Sequence, residues 1–283
     1  MDTNFIVYQA YGHSAILQEA LLSIASATRF RTGASEFRIV VYTDSVSYLK
    51  SFLPDFVHFV EMPTAVWEEW KGPKRFVHRA KIQMLAHFIA HHQGNVLYCD
   101  TDTYFTQSPQ ALFDSIASGN LLMHMDEGRL QGSENAVFRK LERFLQKYEG
   151  ESIPSSTHMW NAGVLGFPTS EAALLKEVSQ LSDKLYDAYP KHVMEQLAFS
   201  FYFQQRELRA CEGSIFHYWD FKEYREVLGR FFESQKGKPF TEWSRQLAAI
   251  LPMELIKKKR AFMAKPSWVR KWMTWTGQVP VYA

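Results

Sequence analysis

The sequence predicts an α/β fold, with a central, mostly parallel sheet flanked by helices. Two observations carry that expectation. Strand-like and helix-like runs alternate through the first ~60 residues, and such alternation demands parallel strands joined by helical crossovers. Further on, a helical run from Val77 to His91 leads into the apolar run Val96-Leu97-Tyr98-Cys99, which stops abruptly at Asp100-Thr101-Asp102. In an open α/β sheet, the carboxyl end of such a strand faces the crevice where ligands bind.

Taken in order, Phe5 to Gln9 is a first strand, closed by the polar turn Tyr11-Gly12-His13-Ser14. From Ala15 onward, Ile16, Leu17, Ala20, Leu21, Ile24 and Ala27 recur at helical spacing. Phe37 to Tyr42 is a second strand stopped by Thr43-Asp44, Ser47 to Leu53 a short helix, and Val57 to Val60 a third strand. The polar, aromatic stretch Trp67 to Arg75 reads as a loop. After the Asp-x-Asp strand, Asn120 to Met125 is a strand ending in Asp126-Glu127, and Asn135 to Glu149 an amphipathic helix. Trp160 to Phe167 reads as a glycine-containing strand bounded by Pro168. Ser170 to Tyr189 and Val193 to Phe203 read as helices, and Arg209 to Phe216 leads to His217. The chain divides into a catalytic region, 1–230, and a helical, basic, tryptophan-rich tail, 231–283.

Composition narrows the function. At 46% hydrophobic and 15% aromatic residues, the chain has enough apolar material for a core, which excludes wholesale disorder. A formal net charge of +2 gives no global case for nucleic acid as a partner. Cys99 and Cys211 make no disulfide framework, and a cysteine in a buried strand fits a reducing compartment. The start, Met1-Asp2-Thr3-Asn4, lacks the basic character of a signal peptide. No apolar run approaches the ~18–20 residues of a membrane span. The expected location is cytoplasmic, or peripheral on the inner face of the membrane.

The chemistry starts with Asp100 and Asp102. Clustered carboxylates repel one another and are costly beside apolar surface, so they imply a cation. Oxygen ligands suit Mn²⁺ or Mg²⁺, and such sites share the metal with substrate phosphates. Four further segments join them. Tyr8, Gln9 and Tyr11, at the end of the first strand, suit an aromatic platform for a base. Arg79 and Lys81, on the helix before the metal strand, are placed to face a diphosphate. In Met159-Trp160-Asn161-Ala162-Gly163, the glycine lets a ligand approach the backbone and the asparagine amide can donate to and accept from hydroxyls. Glu195-Gln196 sits on a later helix, and His217 is the candidate third metal ligand.

These segments, in this order, resemble the nucleotide-diphospho-sugar glycosyltransferases of the GT-A fold. They are most similar to the retaining family 8 enzymes of the glycogenin and bacterial lipooligosaccharide galactosyltransferase type, over roughly residues 4–225. The resemblance implies that Asp100, Asp102 and His217 hold Mn²⁺ or Mg²⁺. Tyr8, Gln9, Tyr11, Arg79, Lys81, Thr101, Asn161, Ala162 and Gly163 would bind a nucleotide-sugar donor, and Gln196 would lie under the anomeric carbon. The acceptor, a saccharide or glycolipid, would sit near Asp126. An inverting reaction would need Glu195 or Asp126 as base. The chain departs from the family pattern at Tyr8-Gln9-Ala10, Glu195-Gln196-Leu197 and Asp220-Phe221-Lys222, which places it as a sister family. Two other classes compete: a haloacid-dehalogenase-like phosphatase with Asp100 as nucleophile, and a non-catalytic sugar-binding protein.

The tail adds a partner. Between Leu251 and Ala283, Lys257, Lys258, Lys259, Arg260, Lys265, Arg270 and Lys271 face one acidic residue, Glu254, and are interleaved with Phe262, Trp268, Trp272 and Trp275. Cations attract anionic headgroups and tryptophan prefers the interface, so the tail reads as an interfacial membrane anchor.

Overall fold

The structure is a computed structural model that describes residues 3–32 and 36–279. Met1, Asp2 and residues 280–283, which the readings of the N-terminus and the tail include, lie outside the described residues. In chain order the elements are β1 (Asn4–Gln9), α1 (Ser14–Thr28), β2 (Arg38–Thr43), α2 (Val46–Lys50), β3 (Val57–Glu61), α3 (Thr64–Trp70), α4 (Arg79–His91), β4 (Asn95–Cys99) and β5 (Thr103–Phe105). Then come α5 (Gln110–Ala117), β6 (Leu121–Met123), β7 (Asp126–Arg129), α6 (Ala136–Leu145), β8 (His158–Trp160), β9 (Val164–Pro168), α7 (Ala172–Ala188) and α8 (Met194–Phe203). The rest are β10 (Leu208–Ala210), β11 (Ile215–His217), α9 (Tyr224–Ser234), α10 (Phe240–Trp243), α11 (Pro252–Met263) and α12 (Ser267–Trp275).

Among the described residues, seven strands form one sheet in the order β10-β6-β9-β4-β1-β2-β3. β4, β1, β2 and β3 run parallel, β10 is parallel to β6, and β9 lies antiparallel between β4 and β6. Helices cover both faces, which explains why the central strands read as continuous apolar runs. On β1, Ile6 and Tyr8 face the layer that includes α1, α5 and α9, while Phe5 and Val7 face the layer that includes α4, α7 and α8. All five residues of β4 are buried.

Two local expectations are corrected, and one strand pair is new. The stretch from Trp67, read as a loop, begins inside α3, whose Trp67 is wholly buried in the second core. Polar neighbours hid a helix with a single buried anchor. The strand expected over Trp160 to Phe167 is broken at 161–163: β8 pairs with β7, and β9 joins the main sheet. Finally, β5 and β11 form an antiparallel pair outside the main sheet, with Thr103 opposite His217. Three-residue strands leave no periodic trace in a sequence.

The packed region also runs past residue 231. Phe232, Trp243, Leu247, Ile250, Leu255 and Ile256 all belong to the first core. Trp243 is fully buried and donates from Nε1 to the Phe52 carbonyl at 3.0 Å, and the Tyr224 hydroxyl donates to the Ile250 carbonyl. Among the helices of the described residues, α12 alone buries no residue of its own. Trp243→Ala is therefore expected to lower stability by about 3–5 kcal/mol, as large aromatic deletions do in packed cores. Urea denaturation should show a lowered midpoint with an unchanged slope. A loss under about 0.5 kcal/mol, the size of an ordinary surface change, would mean that 231–256 is not part of the core.

Candidate active site

The Asp-x-Asp turn leaves the carboxyl end of β4 and enters β5. Its backbone is propped from below: the Tyr8 hydroxyl bonds Ser23 at 3.0 Å, Ser23 bonds Thr103 at 2.7 Å, and Thr103 donates to the Asp100 carbonyl at 2.8 Å. The Asp100 N–H donates to the Gly163 carbonyl at 2.7 Å, which ties the turn to the break between β8 and β9. Because Thr103 pairs with His217, the histidine arrives beside Asp102, with its Nε2 3.0 Å from Asp102 Oδ1. Asp100, Asp102 and His217 each offer a ligand atom, and these atoms lie within 4.8 Å of one another.

Lys81 is the buried counter-charge. Its Nζ lies 2.8 Å from Glu195 Oε1, 3.7 Å from Asp100 Oδ1 and 3.0 Å from the Ala162 carbonyl. Burial pulls the Lys81 pKa down, but Asp100 and Glu195 outweigh it and hold the ammonium above its ordinary value. Burial pushes Glu195 up, against the pull of Lys81. Burial works on Asp102 in the same sense, yet His217 and Lys222 more than offset it and keep the carboxyl below its ordinary range. His78 is pushed down to about 4 by burial and by nearby Lys81, so it is neutral near pH 7.

Two pockets share this centre, and both are lined by His78, Lys81, Asp100 and Asp102. The first, about 440 Å³, also holds Glu127, Asn161, Ala162, Gly163, Glu195, Gln196, His217 and Lys222. Four carboxylates there face two ammonium groups, a formal excess of two negative charges. Asn161 Oδ1 accepts from the Gly163 N–H and from His217 Nδ1, both at 3.0 Å. The second pocket, about 460 Å³, is lined by Gln9, Tyr11, Gly12, Thr101, Glu19, Lys71 and Arg225. There Tyr11 stacks on Trp67 with centroids 4.0 Å apart, and Arg225 grips the buried Glu19 at 2.8 Å.

Three sequence-predicted residues are not in the crevice. Tyr8 is fully buried and supports the turn from beneath, so it offers no platform, whereas Tyr11 lines the second pocket. Arg79 turns away to Asp183 at 2.9 Å and to the Trp70 carbonyl at 2.9 Å. Positions i and i+2 of a helix point about 200° apart, so only one of Arg79 and Lys81 can face the centre. Asp126 points outward to His158 at 2.7 Å, and its neighbour Glu127 lines the pocket instead. Glu127, Lys222, Tyr98 and Arg225 were not foreseen. Tyr98, which donates to Asp100 at 2.5 Å, lies two residues before its partner, the one separation that marks a shared strand face.

The donor set fits a divalent cation. An octahedral Mg²⁺- or Mn²⁺-sized ion with ~2.1 Å bonds needs adjacent ligands about 3 Å apart, which is the His217 Nε2 to Asp102 Oδ1 distance of 3.0 Å, and the whole cluster lies within 4.8 Å. His217 Nδ1 donates to Asn161 Oδ1 and turns Nε2 to the Asp102 carboxylate, where a proton makes the ion pair that lowers Asp102 and where its loss leaves two lone pairs facing each other. Two lone pairs 3.0 Å apart call for a proton or a metal between them.

No family model and no curated protein matches the chain. Solved structures do. An active-site mutant of LgtC superposes over 73% of this chain and 72% of its own, with TM-score 0.51 and 16% identity. The apo form of mouse xyloside xylosyltransferase 1 covers 74% of this chain and 85% of its own, with TM-score 0.50 and 12% identity. The galactosyltransferase LgtC in complex with donor and acceptor sugar analogues superposes over 73% of each chain, with TM-score 0.48 and 16% identity. The chain has the GT-A fold of these glycosyltransferases. The phosphatase reading of Asp100 requires a different fold and is set aside.

Gly163 offers a direct probe of the cluster. A Cβ there would fall 2.1 Å from His217 Cε1, so the ring must move. Gly163→Ala is expected to weaken Mn²⁺ binding by about 10–100-fold in calorimetry, the range seen when a metal ligand loses its orientation. Unchanged affinity would mean that His217 is not a ligand.

Proposed function

We propose that the chain is a metal-dependent glycosyltransferase, moving a hexose from a nucleotide-diphospho-sugar, a UDP-sugar, to a saccharide or glycolipid acceptor. The supporting observation is the Asp100-Asp102-His217 cluster, whose two carboxylates line both of two adjoining pockets, one with an aromatic wall and one lined by amides. The nucleotide fits the side of Tyr11 and Thr101, the sugar fits the side of Asn161 to Gly163 and Gln196, and the diphosphate spans the centre.

In the reaction, the bond from the anomeric carbon to the β-phosphate oxygen breaks, with its electron pair leaving on UDP. The acceptor hydroxyl oxygen bonds that carbon, and its proton passes to the departing phosphate or to water. Asp100, Asp102 and His217 would hold Mn²⁺ or Mg²⁺, which supplies Lewis-acid stabilisation of the leaving diphosphate. Lys81 keeps the carboxylates compensated beside it, and the Gln196 side chain faces the oxocarbenium-like carbon.

The committed state of the carboxylates favours retention. Glu195 is paired with Lys81, Asp126 points away, and Glu127 is bound by two amides, so none of the three stands free as a base opposite the leaving group. The acceptor would then attack from the leaving-group face. Asp102→Asn should abolish turnover of UDP-sugars and metal-dependent UDP binding while the fold persists by circular dichroism. Full turnover in that variant, or in EDTA, would refute the metal assignment; UDP-sugar binding without any turnover in the native chain would favour a non-catalytic sugar-binding protein.

The tail completes the proposal with a peripheral membrane contact. No helix among the described residues is long and apolar enough to cross a membrane. On α12, Trp268, Trp272 and Trp275 share one helical face by their spacing and are 71%, 51% and 85% exposed. Lys271 borders that face, Arg270 lies on the opposite side of the helix, and Lys257 to Arg260 precede it. Cosedimentation with anionic vesicles should be salt-sensitive and should fall at least tenfold when the three tryptophans become serine, with turnover on a soluble acceptor unchanged. Equal binding by the triple variant would remove the anchor.

A further inference from the structure

We propose that Glu127 is a positioning residue that fixes which way the Gln196 and Asn161 side-chain amides point. Its purpose rests on the glycosyltransferase reading; its geometry does not. Glu127 Oε1 accepts from Asn161 Nδ2 at 3.0 Å, and Oε2 accepts from Gln196 Nε2 at 2.8 Å. An ionised carboxylate only accepts, so both amides must present their NH₂ groups to it.

Two consequences follow. Asn161 Oδ1 is turned to the opposite side, where it receives the Gly163 N–H and His217 Nδ1. One carboxylate thereby reaches the metal-ligand histidine through one amide. Gln196, which lines the crevice, has its NH₂ committed, so its carbonyl oxygen is the end left for the sugar side. An oxygen dipole aimed at the anomeric carbon stabilises the positive charge that develops there, whereas an NH₂ group in that place would oppose it. The residue type matters because the two amides make the same demand. A glutamine at 127 offers one oxygen and one NH₂, so one neighbour must reverse. Reversing Asn161 breaks its bonds to Gly163 and His217, while the Gln196 side chain is held by Glu127 itself. Gln196 is therefore the one that turns.

The experiment compares native protein with Glu127→Gln and Glu127→Asp, reading side-chain amide ¹H–¹⁵N spectra together with kinetics. The Gln196 NH₂ signal, assigned by its loss in Gln196→Ala, should show a downfield proton in native protein that returns to the ordinary region in Glu127→Gln. In the same variant kcat should fall about 10–100-fold, with the donor KM and the Mn²⁺ affinity within twofold of native, because ground-state binding is untouched. Glu127→Asp, which keeps the carboxylate, should recover part of kcat. A Gln196 signal unmoved by Glu127→Gln, or an unchanged kcat, overturns the proposal. If the signal moves but native protein turns over no nucleotide-sugar, the positioning stands and the glycosyltransferase reading fails by itself.

Discussion

Four carboxylates, Asp100, Asp102, Glu127 and Glu195, converge beside the carboxyl end of β4, and their mutual repulsion sets the terms for the rest of the site. Each is answered differently. Glu195, nearly inaccessible, takes the Lys81 ammonium, which Asp100 shares along with the Tyr98 hydroxyl. Asp102 takes His217 and Lys222, and Glu127 takes two amides. Amides and a tyrosine supply hydrogen bonds but no charge, so the crevice keeps its negative excess. Removing one partner of a buried ion pair typically costs about 3–5 kcal/mol, because the other charge is stranded. Lys81 is thus a structural partner of two carboxylates, and the residual charge is what a divalent cation would satisfy.

The fold delivers these groups through short-range constraints. β9 brings Gly163 opposite Asp100, and the absent side chain there is the space that the His217 ring fills. The pairing of β5 with β11 brings residues 103 and 217 into register across more than a hundred positions of sequence. Below them, Tyr8, Ser23 and Thr103 carry the turn on a chain of hydroxyls instead of on apolar contacts alone. Candidate metal ligands drawn from the turn between β4 and β5 and from β11, with backbone pairing on either side, make a more rigid cluster than side chains on a free loop.

Much of this was legible in the sequence. Alternation of elements gave the parallel core, and the three candidate metal ligands were singled out before the structure brought them together. The failures share one cause: a motif names a neighbourhood, and a side chain's direction is set by periodicity and by what packs on each face. Arg79 and Lys81 were chosen together, though helix geometry sends them to different sides. Asp126 was chosen where alternation along the strand selects Glu127. Tyr8 lies on a strand covered on both faces, where no alternation of polarity tells which end stays open. The extension of the core to Ile256 was hidden for a similar reason, since basic composition describes the outer face of α11 while Leu255 and Ile256 are buried on the inner one.

The proposed chemistry requires Asp100, Asp102 and His217 to bind one divalent ion where a nucleotide diphosphate crosses from one pocket to the other. Pulsed EPR of the Mn²⁺-loaded protein with UDP reads both halves of it. A ¹⁴N coupling from one imidazole, lost in His217→Gln, is expected together with ³¹P coupling from the diphosphate. Bound Mn²⁺ with neither coupling, or with a ¹⁴N signal that survives His217→Gln, would contradict it.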